Sequence, residues 1–153
     1  MLTPLEGSRV DEYVHQPGVA ILDWRHPGNA ASLLFDQILE RTSDAHRDVR
    51  FATVDLSKEG ALARDWQVSE APTVMGYRDG ILVFSRPGPL PGEAVDGLIN
   101  AIWSLDMDEV RKGIDGQGSR ILIAFRGDRE PSFETTAGEA PNGSGGPARG
   151  ASR

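Results

Sequence analysis

Apolar residues change their period several times along the chain, and each change marks an element. In SRVDEYVHQ (8–16) the spacing suits a short first helix. GVAILDW (18–24) is a continuous apolar run with little alternation, the pattern of a strand covered on both faces. AASLLFDQILER (30–41) follows with Leu34, Phe35, Ile38 and Leu39 on one expected helical face. RFATVDL (50–56) reads as a second buried strand, and SKEGALARDWQV (57–68) as a short helix with Leu62 and Trp66 four apart.

Two alternating runs come next, TVMGYR and ILVFSR, joined by Asp79-Gly80. Two turn residues between such runs, one of them glycine, predict a β-hairpin. Val95, Leu98, Ile99, Ile102 and Trp103 then fall at amphipathic helical spacing. Asp106 and Glu109 have the spacing of a cap for one further short helix. The order is α β α β α β β α with a helical extension. Strand–helix–strand implies a parallel pair with a right-handed crossover, and the hairpin adds antiparallel strands. An α/β fold with a mixed sheet and helices on both faces is expected for residues 1–114.

Beyond residue 114 the pattern fades. Residues 115–153 hold eight of the 18 glycines, and their end, TTAGEAPNGSGGPARGASR, has almost nothing to bury. A segment of that composition cannot offset its ordering entropy and is expected to be largely disordered. One apolar island, ILIAF at 121–125, interrupts it. It is either a small added strand packed on the domain, the favoured reading, or a docking peptide.

Charge and composition narrow the chemistry. The net charge is −7 over 153 residues, all of it arising within 1–114, where 18 acidic side chains face 11 basic ones. Such a surface repels phosphate backbones and anionic lipid, so neither nucleic acid nor a membrane is an expected partner. No apolar run approaches the length of a membrane span, and the N-terminus MLTPLEGSRVDEYV lacks a secretion pattern. A cytoplasmic location is the expectation. The chain contains no cysteine, which excludes disulfides, thiolate nucleophiles and cysteine-ligated metals. His15, His26 and His46 are scattered without helical i+3 or i+4 partners, so no metal is expected.

The chemistry that remains centres on DWRHPGNAASLL (23–34), a buried strand running through a Pro-Gly turn into a helix. Asp23, His26 and Ser32 can be drawn as a catalytic constellation, but nothing nearby forms an oxyanion hole. Asn29 is a good helix N-cap residue, and capping outweighs catalysis as its role. Asp23 interrupts an apolar strand. If buried, its carboxyl is raised in pKa, and it is either a relic without a partner or paired with Arg25 or Ser32.

In the order and spacing of these elements, residues 8–114 resemble thioredoxin. ILD at 21–23 sits where that family's central strand carries a buried aspartate. EAPT (70–73) is similar to the stretch with the family's cis-proline, placing it at Pro72, and YRDG (77–80) resembles the hairpin turn. RPGP (86–89) places Gly88 at the family's glycine position, and LDMDEVRKGI (105–114) is similar to an extension of some bacterial thioredoxins. The resemblance implies a thioredoxin-like three-layer α/β/α sandwich. It also puts Asn29-Ala30-Ala31-Ser32 where the family carries Cys-Gly-Pro-Cys, so the redox positions are degenerate.

The family also binds extended peptides beside its cis-proline, through main-chain bonds from the preceding residue, Ala71 in this chain. By that resemblance Gly28, Leu56, Ala71, Pro72, Pro87, Gly88 and Pro89 form a candidate partner-binding rim. Fold geometry alone accounts for Pro72 and Gly88. The expected function is a redox-inactive protein that binds a protein partner, in a chaperone-like, accessory or regulatory role and without a cofactor. The alternatives are an enzyme using Ser32 or a bound thiol cofactor such as glutathione, and a structural subunit docked through its C-terminal segment.

Overall fold

The computed structural model describes residues 1–117, 120–124 and 132–136, with side chains up to residue 113. Five strands form one mixed sheet in the order β1-β3-β2-β4-β5. They are β1 (Thr3–Leu5), β2 (Val19–Arg25), β3 (Val49–Asp55), β4 (Thr73–Arg78) and β5 (Ile81–Pro87). The helices of this unit are α1 (Arg9–Val14), α2 (Ala30–Ala45), α3 (Gly60–Asp65), α4 (Gly92–Trp103) and α5 (Met107–Gln117). β2 lies parallel to β3 and antiparallel to β4, so the expected parallel pair and hairpin meet at the central strand.

The uninterrupted apolar run of β2 follows from its position between two helical layers. Val19 and Ile21 pack under Phe35 and Leu39 of α2 and Leu98, Ile99 and Ile102 of α4. Ala20, Leu22 and Trp24 point the other way, onto Val10 and Val14 of α1 and Ala63 of α3. Each large apolar side chain among these contributes roughly 1.5–3 kcal/mol when fully buried. Asp79 and Gly80 take φ of 51° and 84°, the left-handed pair that a two-residue hairpin requires. α4 comes so close to β4 that a Cβ at Gly76 would lie 2.8 Å from Ile102 Cδ1.

The structure corrects several expectations. β1 has no counterpart in the sequence pattern, because three residues, one of them Pro4, carry no readable period. Its parallel pairing through Thr3↔Ala52 and Leu5↔Val54 puts that proline on a sheet edge, where a missing N–H is tolerated. On α2, Phe35 and Leu39 face the core and Ile38 is partly buried, but Leu34 is 63% exposed. The buried stripe runs through Ser32, Phe35, Leu39, Thr42 and Ser43, and Leu34 lies about 120° round the helix from its centre. On α4, Trp103 is not core. It is 38% exposed and stacks under the Arg78 guanidinium, 5.0 Å from the ring centroid.

The extension is helical, as expected. Asp106 Oδ1 accepts from the N–H groups of Asp108 (3.1 Å) and Glu109 (3.3 Å), while the Glu109 carboxylate lies 3.7 Å from Lys112. α5 continues three residues past 114. Of the island at 121–125, residues 121–124 belong to β6 (Arg120–Ala124), which pairs antiparallel with β7 (Ser132–Thr136) and runs beside β5. Apart from 115–117, 120–124 and 132–136, the tail expected to be largely disordered (115–153), Phe125 included, lies outside the described residues.

Candidate functional site

The C-terminal ends of β2, β3 and β5 and the N-terminal end of β4 share one edge of the sheet, since Arg25 pairs with Asp55, Trp24 with Thr73, and Thr73 with Pro87. The loops leaving that edge hold the candidate residues. The Leu56 N–H donates to Arg25 O at 2.7 Å and the Gly88 N–H to Pro72 O at 2.7 Å. The Ala71-Pro72 bond is cis. Gly88 has φ of 94°, which makes glycine the natural occupant of that turn. Gly28, Pro87 and Pro89 are exposed, Leu56, Ala71 and Gly88 are half-buried, and Pro72 is buried.

Asn29 does more than cap a helix. Its Oδ1 accepts from the Ser32 N–H at 3.1 Å, the N-cap bond, while its Nδ2 donates to Ala71 O at 3.1 Å. One side chain therefore caps α2 and ties it to the cis-proline loop, using a lone pair of the carbonyl that the resemblance assigns to partner pairing. The turn before it is closed by its own groups. His26 Nδ1 accepts from the Gly28 N–H at 3.0 Å, and the Asn29 N–H donates to His26 O at 3.0 Å.

Ser32 is buried, and its Oγ accepts from the His26 N–H at 3.2 Å. The catalytic constellation is not assembled: the His26 ring is turned to Gly28, and neither carboxylate oxygen of Asp23 has a hydrogen-bond partner. The hydroxyl holds a backbone amide and lies out of reach of a substrate.

Asp23 is fully buried, as the strand pattern implied, on the side of the sheet covered by α2 and α4. Its pKa is pushed up to about 8. Burial is the main cause; the charge of Asp36, and the hydrogen bond that a protonated Asp23 can give to Asp36, add to it, while Arg25 opposes. Neither oxygen of Asp23 has a hydrogen-bond donor within reach. Arg25 is not its ion-pair partner. Arg25 Nε and Nη2 both reach Oδ2 of Asp36 at 2.8 Å, leaving Asp36 Oδ1 buried and unpartnered.

Asp36 is a site residue that the sequence reading misses. It lies four residues after Ser32, so both project from the inner side of α2, above the β2 face that carries Asp23 and Arg25. An acid four residues after Ser32, on the helix side that also carries Phe35 and Leu39, is the available signal. Sequence reading also misses the exposure of Leu33 and Leu34, 47% and 63% in the first turns of α2. Among the described residues, no group of three or more His, Asp or Glu could hold a metal ion, and no helix is long and apolar enough to cross a membrane.

No family model matches the chain. A Streptomyces coelicolor protein named as a thioredoxin is 37% identical over 83 residues. That segment spans 54% of this chain and 62% of the relative, less than two thirds of its length. Among solved structures, a mutant thioredoxin from Halobacterium salinarum superposes with a TM-score of 0.61 at 22% identity, covering 67% of this chain and 93% of that one. The thioredoxin of Trypanosoma brucei brucei gives 0.62 at 15% identity, covering 68% and 93%. The chain has the thioredoxin fold and no cysteine.

Proposed function

We propose that this thioredoxin-fold chain is redox-inactive and acts by binding a protein partner at the sheet edge where α2, the cis-proline loop and the Gly88 turn meet. The observation that carries this is the pair of bonds from Asn29. The position that the resemblance gives to a redox cysteine holds an amide that joins the α2 cap to Ala71 O, so the reactive group is replaced by a structural tie. The loops that would display a cysteine are kept; they expose Gly28, Pro87 and Pro89 together with His26 and Glu70, and the first turns of α2 expose two leucines.

Thiol–disulfide exchange needs a thiolate, and no residue of the chain can supply one. Use of Ser32 as a nucleophile is disfavoured by its burial and by its bond to the His26 N–H. Apolar contact and the polar groups left free on the loops then carry recognition, as in strand-like or groove-type peptide binding. Chaperone-like, accessory and regulatory roles all fit such a surface.

The test is affinity capture from the native host with three baits: the full chain, Ala71→Arg, and a chain ending at residue 117. The proposal expects a protein retained by the first and third baits and lost by the second. Loss on truncation with retention by Ala71→Arg would transfer the function to the C-terminal segment. Gly88 is a poorer choice for substitution, because its positive φ strains any side chain placed there.

A further inference from the structure

Beneath the α2 face, three buried carboxylate oxygens have no partner: both of Asp23 and Oδ1 of Asp36. Unpartnered buried polar atoms are rare, and two neighbouring carboxylates are stable together when one of them keeps its proton. A neutral Asp23 can donate that proton to Asp36, which pairs two of the three oxygens through one hydrogen bond between β2 and α2.

The surroundings leave no other charge to do this. β3 and β4 set uncharged Thr53 and Val74 opposite Asp23. α4 contributes Ala94, Val95 and Leu98 to the core, and its acids Glu93 and Asp96 lie outside that core, Asp96 bonded to His46. Asp55, at the end of β3, has its Oδ1 taken by the Ser57 N–H and hydroxyl. His26 faces Gly28. α2 brings Ser32, whose Oγ is held by the His26 N–H, and Asp36 itself. Arg25, the one cation nearby among the described residues, is bound to the outer oxygen of Asp36.

We propose that the proton carried by Asp23 and shared with Asp36 Oδ1 pins the N-terminal turns of α2 to β2, and that losing it releases those turns. On deprotonation the proton leaves to solvent and two neighbouring carboxylates are both charged, that of Asp23 fully buried. The repulsion has one exit. Asp36 and Arg25 are both 22% exposed and bonded to each other, so they can swing outward as a pair while Asp23 stays fixed in the sheet. That motion turns α2 where Asn29 holds Ala71 and Ser32 holds His26, so the surface above becomes looser as pH rises. The device stands independently of the partner-binding role, although it lies directly under that surface.

The experiment is amide hydrogen exchange at residues 30–36 of the full chain between pH 6.5 and 9, run beside Asp23→Asn. Comparison of the two chains at each pH removes the intrinsic pH dependence of exchange. The expected result is a tenfold or greater loss of relative protection in the native chain across this range, absent in Asp23→Asn. A carboxyl carbon NMR titration supplies the second readout: Asp36→Asn should lower the Asp23 midpoint by at least one pH unit. Equal protection in both chains at every pH, or an Asp23 midpoint unmoved by Asp36→Asn, would overturn the proposal.

Discussion

Replacing Asp23 with asparagine should stabilise the fold, and by an amount that depends on pH in a prescribed way. The carboxyl has an ordinary value of 3.8 when exposed and about 8 in the folded chain. Between those values the unfolded chain has released the proton and the folded chain keeps it. The native state then binds more protons than the unfolded state, so stability falls as pH rises. The group's contribution is fully present below 3.8 and is lost as pH climbs through about 8. At about 1.4 kcal/mol per pH unit, the loss reaches about 4 kcal/mol at pH 7. That is a large share of the roughly 5–15 kcal/mol typical of a domain.

Asparagine is nearly isosteric and does not ionise, so the pH dependence is removed with little change in packing. Urea unfolding of both chains at half-unit intervals from pH 4 to pH 9 is the assay. The variant's advantage should be small at pH 4, widen by about 1.4 kcal/mol per unit, and level off above pH 8. Asp23→Leu should follow the same trend. Parallel curves at all pH values, or a native chain more stable than Asp23→Asn at pH 7, would mean that the ionised carboxylate has a partner in the folded chain.

Asn29→Ala removes both the cap and the tie to Ala71 and should cost about 1–2 kcal/mol in urea unfolding, with amide shifts around Ala71 and Pro72 as well as in α2. Shifts confined to α2 would mean that the tie is not populated. Ser32→Ala strips the His26 N–H of its acceptor and should cost about 1 kcal/mol. It should leave any hydrolase or glutathione-dependent turnover of the chain unchanged, whereas abolition of a measured turnover would establish Ser32 as a nucleophile. Gly76→Ala places a methyl 2.8 Å from Ile102 Cδ1, the tip of a buried side chain, and should destabilise by about 1 kcal/mol; an unchanged midpoint would show that Ile102 turns aside without loss.

Much of the fold is legible because burial on two faces leaves a mark in sequence. β2 is apolar from Val19 to Leu22 since helices cover both its sides, and Asp79-Gly80 declares its hairpin through backbone conformation alone. β1 is not readable, because three residues on an edge carry neither period nor turn chemistry. Leu34 and Trp103 mislead for a related reason: an apolar residue at the border of a helical stripe satisfies the period whether or not it is buried. At the site, the cap on Asn29 follows from residue type, but its second bond depends on a loop 42 residues away in sequence. The pairing of Arg25 with Asp36, in place of Asp23, likewise depends on how far α2 stands from β2. Spacing alone does not contain that distance.

Photocrosslinking in the native host reports on the binding surface whichever protein occupies it. A crosslinking residue is placed at exposed Leu34 in the N-terminal half of α2, at exposed Pro89 after the Gly88 turn, or at exposed Arg47, where α2 runs into β3 at the opposite end of the sheet. The same discrete adduct is expected from positions 34 and 89 and none from 47, if the surface at the α2 and Gly88 end binds the partner. Adducts of equal yield from all three positions, or from 47 alone, would contradict binding at that surface.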